Sequence, residues 1–157
     1  MKLFATALAL SFVLAAFAFS AADPQGFYLW KSAELKGYAK TLAPKLNAQH
    51  VASQTLAANG NYSFMVAHRE GSGEAELHTT QADVLVVESG EATITIGGEL
   101  VDGKTTAPNE QRAASIKGGS DKKLAAGDAI TIPAKVAHQM KLDPGKQITY
   151  FVVKITQ

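Results

Sequence analysis

The chain has no cysteine. That absence excludes a disulfide framework, a lipidated cysteine anchor and a thiolate ligand in any metal site. An excess of charge of one sign is missing too, since 15 Lys and Arg stand against 14 Asp and Glu. Such a balance leaves no electrostatic footprint for a nucleic-acid backbone or an anionic membrane surface. No internal repeat is visible, and helical periodicity is confined to one short stretch. The expected partner is a small molecule or an uncharged polymer, with no nucleic acid.

One long apolar run is present, at the N-terminus. Lys2 precedes Leu3 to Phe19, a segment broken only by Thr6 and Ser11 and followed by Ser20-Ala21-Ala22. A positive start, an apolar centre and small residues at the end read as a secretory signal over residues 1–22, which predicts a secreted or periplasmic protein. The competing reading is a membrane anchor, because the run is near the lower limit for spanning a bilayer. Small residues rather than stop-transfer charges follow it, which favours cleavage and no stable membrane insertion afterwards. Cleavage after Ala22 leaves 135 of the 157 residues, enough for one domain with its own core. It also removes Lys2, making the mature chain formally neutral.

Residues 23–48 form an arm. Ser32 before Ala33-Glu34-Leu35 predicts an N-cap and a short helix from Ala33 to about Ala43, stopped by Pro44, with Leu35, Tyr38, Ala39 and Leu42 on one stripe. Residues 49–157 then read as strands. Val51 to Ala58 and Tyr62 to Arg69 flank Asn59-Gly60, a hairpin signal. In the second strand Tyr62, Phe64, Val66 and His68 share a face, and three apolar partners predict that it is the inward one. His68 then reads as a hydrogen-bonded core histidine or as a substrate contact. Val84 to Val87 ends at Glu88-Ser89-Gly90, a turn signature, and Ala92 to Ile96 alternates up to Gly97-Gly98. Glu99 to Lys123, rich in glycine and polar residues, reads as a long insertion. It is either a solvated excursion or a functional loop bringing Gln111 and Arg112 to a cavity mouth. Val136, His138, Met140 and Leu142 share one face of a later strand, and Thr149 to Ile155 closes the chain. Near-continuous apolar strands need cover on both sides, from the arm or from a second subunit, so a homodimer is expected. Short alternating segments with turn residues between them predict an all-β sandwich or barrel, the jelly roll fitting the strand count.

Donor side chains recur in two places. Glu76 and His78, two apart, project from one face of a strand, and Asp83 follows after a short link. Far downstream Gly127 to Pro133 leads to His138, on the apolar side of its strand, where an unpartnered ring is costly. Each has a plain explanation alone, as a solvated charge, a turn cap or a bonded histidine. Together, two imidazoles and two carboxylates suit one divalent transition metal, and Mn, Fe, Ni, Zn and Cu are not distinguished by the donor set.

These residues resemble the cupin superfamily, whose motifs read G-x5-H-x-H-x4-E-x6-G and G-x5-P-x-G-x2-H-x3-N. Glu76 falls at the first His of the pattern, His78 at the second, Asp83 at the Glu and Gly90 at the closing Gly, while Gly127, Pro133 and His138 match the second motif. Glu70, Lys135 and Leu142 depart from it, standing at a Gly, a Gly and an Asn. The resemblance spans roughly Tyr62 to Ile155. It implies a double-stranded β-helix, or jelly-roll, barrel with the short helix outside it, and a metal held by Glu76, His78, Asp83 and His138. Strand parity adds Tyr62, Phe64, His68 and Met140 as candidate substrate-binding residues, with Arg112 from the insertion, in a largely apolar cavity. Three functions are open at this level: a metal-dependent oxidoreductase or dioxygenase on a small molecule (lyase or isomerase next), an exported sugar- or ligand-binding cupin without turnover, and oxidative cleavage of extracellular carbohydrate.

Overall fold

The computed structural model describes residues 22–157, so the proposed signal segment lies outside the described residues except for Ala22. Among them are one helix, α1 (Ser32–Leu42), continued by a 3-10 turn (Ala43–Lys45), and twelve strands. In chain order these are β1 (Val51–Asn59), β2 (Tyr62–Arg69), β3 (Ala75–His78), β4 (Gln81–Ile96), β5 (Glu99–Leu100), β6 (Lys104–Ala107), β7 (Glu110–Ala113), β8 (Ile116–Lys117), β9 (Ser120–Ala125), β10 (Ala129–Ile132), β11 (His138–Lys141) and β12 (Ile148–Thr156).

The long strand β4 belongs to both layers. Its first half pairs antiparallel with β12 and β10, and its second half with β9 and β11. The path β1-β2-β12-β4 thus continues into β11-β3-β7-β6 as one curled sheet, the mostly β, half-barrel architecture expected of a jelly roll. The predicted turn at Glu88-Ser89-Gly90 is instead a bend inside β4. Gly90 has φ +80°, and a Cβ there would lie 1.9 Å from the Gln147 carbonyl oxygen. Only glycine lets the strand fold over β12 at that point.

Between the layers lies the main core, with Leu85, Val87, Ile94, Ile132, Ile148 and Val152 at its centre. A second cluster covers the outside of the first layer, where Leu42, Leu35 and Tyr38 of α1 pack on Ala52, Val66 and Phe151. Trp30 of the arm adds its ring to Phe64 and Phe151. The arm therefore supplies the cover that the sheet's outer face needs. The helix begins one residue early, with extended Lys31 as its cap and no side-chain bond, so Ser32 lies within the first turn and is not the N-cap.

The faces of β2 are the reverse of the sequence expectation. Met65, Ala67 and Arg69 line the cavity, while Phe64 and Val66 pack outward beneath the arm. Tyr62, Phe64 and His68 are therefore not cavity residues. The larger apolar set marks burial, and here burial lies under the arm.

Candidate metal centre

The insertion is folded structure. β7 pairs with β3 in the register Glu76↔Arg112 and His78↔Glu110, and β11 pairs with β3 through His138↔Glu76. Three strands thus lay their side chains side by side in a cavity of about 290 Å³. Lys135, at a glycine position of the family pattern, keeps a glycine-like backbone with φ +66°. Its N–H donates to the His78 carbonyl at 2.7 Å, which ties the second motif to the first.

One ligating atom from each of Glu76, His78 and His138 lies within 4.8 Å of the others. The Glu76 Oε2 atom stands 3.7 Å from His78 Nε2 and 3.9 Å from His138 Nε2. Each ring is oriented from behind. His138 Nδ1 donates to the Val136 carbonyl at 3.1 Å, and His78 Nδ1 bonds the Glu110 carboxylate. A bond at Nδ1 turns Nε2 toward the centre, the arrangement by which an acceptor behind a histidine prepares it as a metal ligand. Two imidazoles and one carboxylate so arranged fit a divalent transition metal with open positions.

Asp83 is close but otherwise engaged. Its Oδ2 is 3.3 Å from His78 Nε2, and both its oxygens accept from the Lys154 ammonium at 3.1 Å. It stays outside the group of mutually close donors, so the expected fourth ligand is an ion-pair partner in this structure. Lys154 Nζ also lies 3.2 Å from His78 Nε2. Glu76 is braced by two guanidiniums, with Arg69 Nη2 donating to Oε1 at 3.3 Å and Arg112 bonding the same oxygen. Arg112 also pairs with Glu110, and Arg69 Nε donates to the Tyr150 hydroxyl at 3.0 Å.

These neighbours set the protonation states. Burial favours the neutral acid at Glu76, but Arg112, His138 and Arg69 outweigh it and hold the carboxyl below its usual range. Asp83 is lowered likewise, its burial overcome by the hydrogen bond to His78 and the charge of Lys154. Burial pushes His138 down, against the pull of Glu76, which favours the neutral ring a metal needs. Burial also opposes charge on His78, yet the bond to Asp83 and the charges of Asp83 and Glu110 raise it in spite of Lys154. Tyr150 is raised, chiefly by burial, and stays a neutral phenol.

Of the proposed substrate contacts, Met140 and Arg112 line the cavity. His68 is buried on the other face of β2, its Nδ1 2.8 Å from Thr149 Oγ1 and its Nε2 3.2 Å from Glu70. Eight cavity-lining side chains are charged or imidazole, and they stand beside an apolar wall that includes Met65, Leu85, Ile94, Met140 and Val152. Sequence reading missed Glu110, Arg69 and Lys154. Period-two spacing carried a signal for each: Glu110 with Arg112, Arg69 with Met65 and Ala67, Lys154 with Tyr150 and Val152.

No protein-family model and no curated protein matches the sequence. Solved structures do. TT1209 from Thermus thermophilus is 18% identical with a TM-score of 0.51, covering 74% of this chain and 92% of its own. Rru_A2000 from Rhodospirillum rubrum, described as a cupin-2 domain, is 14% identical with a TM-score of 0.51 over 69% of this chain. A recombinant oxalate oxidase in complex with glycolate is 15% identical with a TM-score of 0.50 over 70% of this chain. The chain spans 62% of the Rhodospirillum protein's length and 53% of the oxidase's. At such identities the likeness is one of fold. With its two layers joined through β4 and a cupin-2 domain superposing on them, the chain is a cupin in fold.

Proposed function

We propose that the protein is an exported, metal-dependent cupin enzyme of the oxidoreductase or dioxygenase type, acting on a small oxygen-rich molecule in the barrel cavity. One observation carries the reading: Glu76, His78 and His138 converge on one point, with both imidazoles oriented from behind. When bound there, a divalent metal supplies Lewis-acid or redox chemistry at its open positions. The chain's own residues do the rest. Glu110 and the Val136 carbonyl keep both Nε2 atoms aimed at the centre. Arg112 and Arg69 keep Glu76 ionised and turn its second oxygen inward. The Tyr150 hydroxyl accepts from Arg69, which leaves its own proton for an acceptor in the cavity. Met65, Leu85, Ile94 and Met140 form the apolar wall. The volume, near the small end of ligand pockets, suits a compact substrate.

A ligand-binding cupin without turnover is the second reading. It is favoured by the pairing of Asp83 with Lys154 and of Glu76 and Glu110 with arginines, which balances the charges without any metal. Attack on extracellular polysaccharide is disfavoured, because the donors are recessed in a cavity rather than set on a flat surface. Phe27, Tyr28 and Leu29, exposed beside the Tyr28–Trp30 stack, support the proposed homodimer.

Metal analysis of protein taken from the exported fraction tests the reading. The mature chain should begin at Asp23, carry one equivalent of transition metal and show its dimer mass in solution. His78→Ala should lose the metal while keeping the β spectrum. A full equivalent in His78→Ala sinks the metal centre, and metal without dioxygen uptake on any small hydroxy acid or phenol favours the second reading.

A further inference from the structure

The closing strand β12 brings a cation into the centre. Tyr150, Val152 and Lys154 alternate along its cavity face, and the Lys154 ammonium meets both oxygens of Asp83 at 3.1 Å and His78 Nε2 at 3.2 Å. Asp83 is 5% exposed and His78 4%, so these contacts lie in the interior. The charges around them balance in pairs. Glu76 faces Arg69 and Arg112, Glu110 faces Arg112, and Asp83 faces Lys154. Three carboxylates thus meet three permanent cations, so a dication entering the cavity finds no surplus negative charge waiting for it.

A second constraint is stereochemical. A neutral imidazole offers one acceptor lone pair once its other nitrogen bears the proton. At His78 the Nδ1 atom bonds Glu110, and Nε2 faces the centre between Lys154 Nζ at 3.2 Å and Asp83 Oδ2 at 3.3 Å. A metal on His78 needs the Nε2 lone pair and the space in front of it, and the Lys154 ammonium stands in that space.

We propose that Lys154 is the resident cation of this centre, and that a metal loads on Glu76, His78 and His138 by displacing its ammonium from His78 Nε2. The proposal rests on the metal reading above. Lys154 keeps Asp83 as its partner after the exchange, and its long side chain, 22% exposed, has a path toward the cavity mouth. Lys154 therefore sets a threshold for affinity: a metal that binds imidazole weakly does not dislodge it, and one that binds strongly does. It also explains why Asp83, at the ligand position of the family pattern and close to His78, does not join the trio of Glu76, His78 and His138.

The test is Co(II) titration of the full mature protein, followed by visible absorption and calorimetry, for wild type, Lys154→Met and Asp83→Asn/Lys154→Met. The single variant frees the lone pair and removes a positive charge a few ångströms from the metal, an effect of at least about tenfold in affinity. The double variant frees the lone pair but leaves the net charge of the site unchanged, and it avoids stranding a buried carboxylate. Both variants should bind Co(II) more tightly than wild type, the single variant by the larger factor. Wild-type binding with no gain in the double variant overturns displacement from His78 while leaving the metal centre standing. Absence of Co(II) binding in all three proteins overturns both.

Discussion

The two faces of β2 differ in what they ask of their side chains. Phe64 and Val66 face outward, where Phe64 meets Trp30 at 5.0 Å, Tyr62 at 5.4 Å and Phe151 at 6.0 Å between ring centroids. Met65, Ala67 and Arg69 face inward, toward ionised groups and open volume. The outer face can be filled with large rings because the arm closes over it. The inner face must leave space and supply charge, so it carries smaller or polar residues. Apolar content therefore identifies the better-packed side of a strand, which in a barrel that holds a polar site need not be the inside.

Separate lesions should separate the two faces. The largest expected effect is on the outer one: Phe64→Ala should cost about 3 kcal/mol of stability, from lost burial and ring contacts at a half-buried position. Its urea midpoint should fall while the metal affinity of the folded protein stays within about twofold. A parallel loss of affinity would show that the faces are coupled. On the inner face Glu110→Gln should weaken metal binding by about 10- to 100-fold, because a neutral amide orients His78 less strongly, with little change in the urea midpoint. An unchanged affinity would remove Glu110 from the centre. A smaller effect should come from acid. Glu76 and Asp83 are held below their usual range, so the stability they add to the metal-free protein is present above about pH 4 and is lost as pH falls through their folded values. Desolvation offsets much of each pairing, which keeps this contribution modest. Urea midpoints of wild type and Asp83→Asn should converge toward low pH. Parallel curves down to the acid transition would contradict the assignment.

The candidate site was legible to different depths. The two-residue spacing of Glu76 and His78, and the apolar face carrying His138 and Met140, follow from strand periodicity and were enough to name three donors that the fold brings together. Asp83 was legible as a neighbour of His78 but not as the partner of Lys154, since the contact joins residues 71 apart in the chain. Arg112 was visible as a charge in an insertion, yet nothing local says that β7 pairs with β3, which is what places Arg112 opposite Glu76 and Glu110 opposite His78. The hairpin at Asn59-Gly60 was readable because it is local. Locally the residues at Gly90 read as a turn, because the obstacle the bend avoids, the Gln147 carbonyl, comes from a distant segment.

By itself, then, the amino-acid order determined the β character, the places where the backbone must reverse or bend, and the parity that puts donors on common faces. Those properties depend on neighbours within a few residues. Closure of the sheet decided which face looks inward, which carboxylate orients which imidazole, and which ammonium stands at His78. Charges act over a few ångströms, and only the packing of β12 and β7 against the rest brings residues so far apart in the chain to that distance.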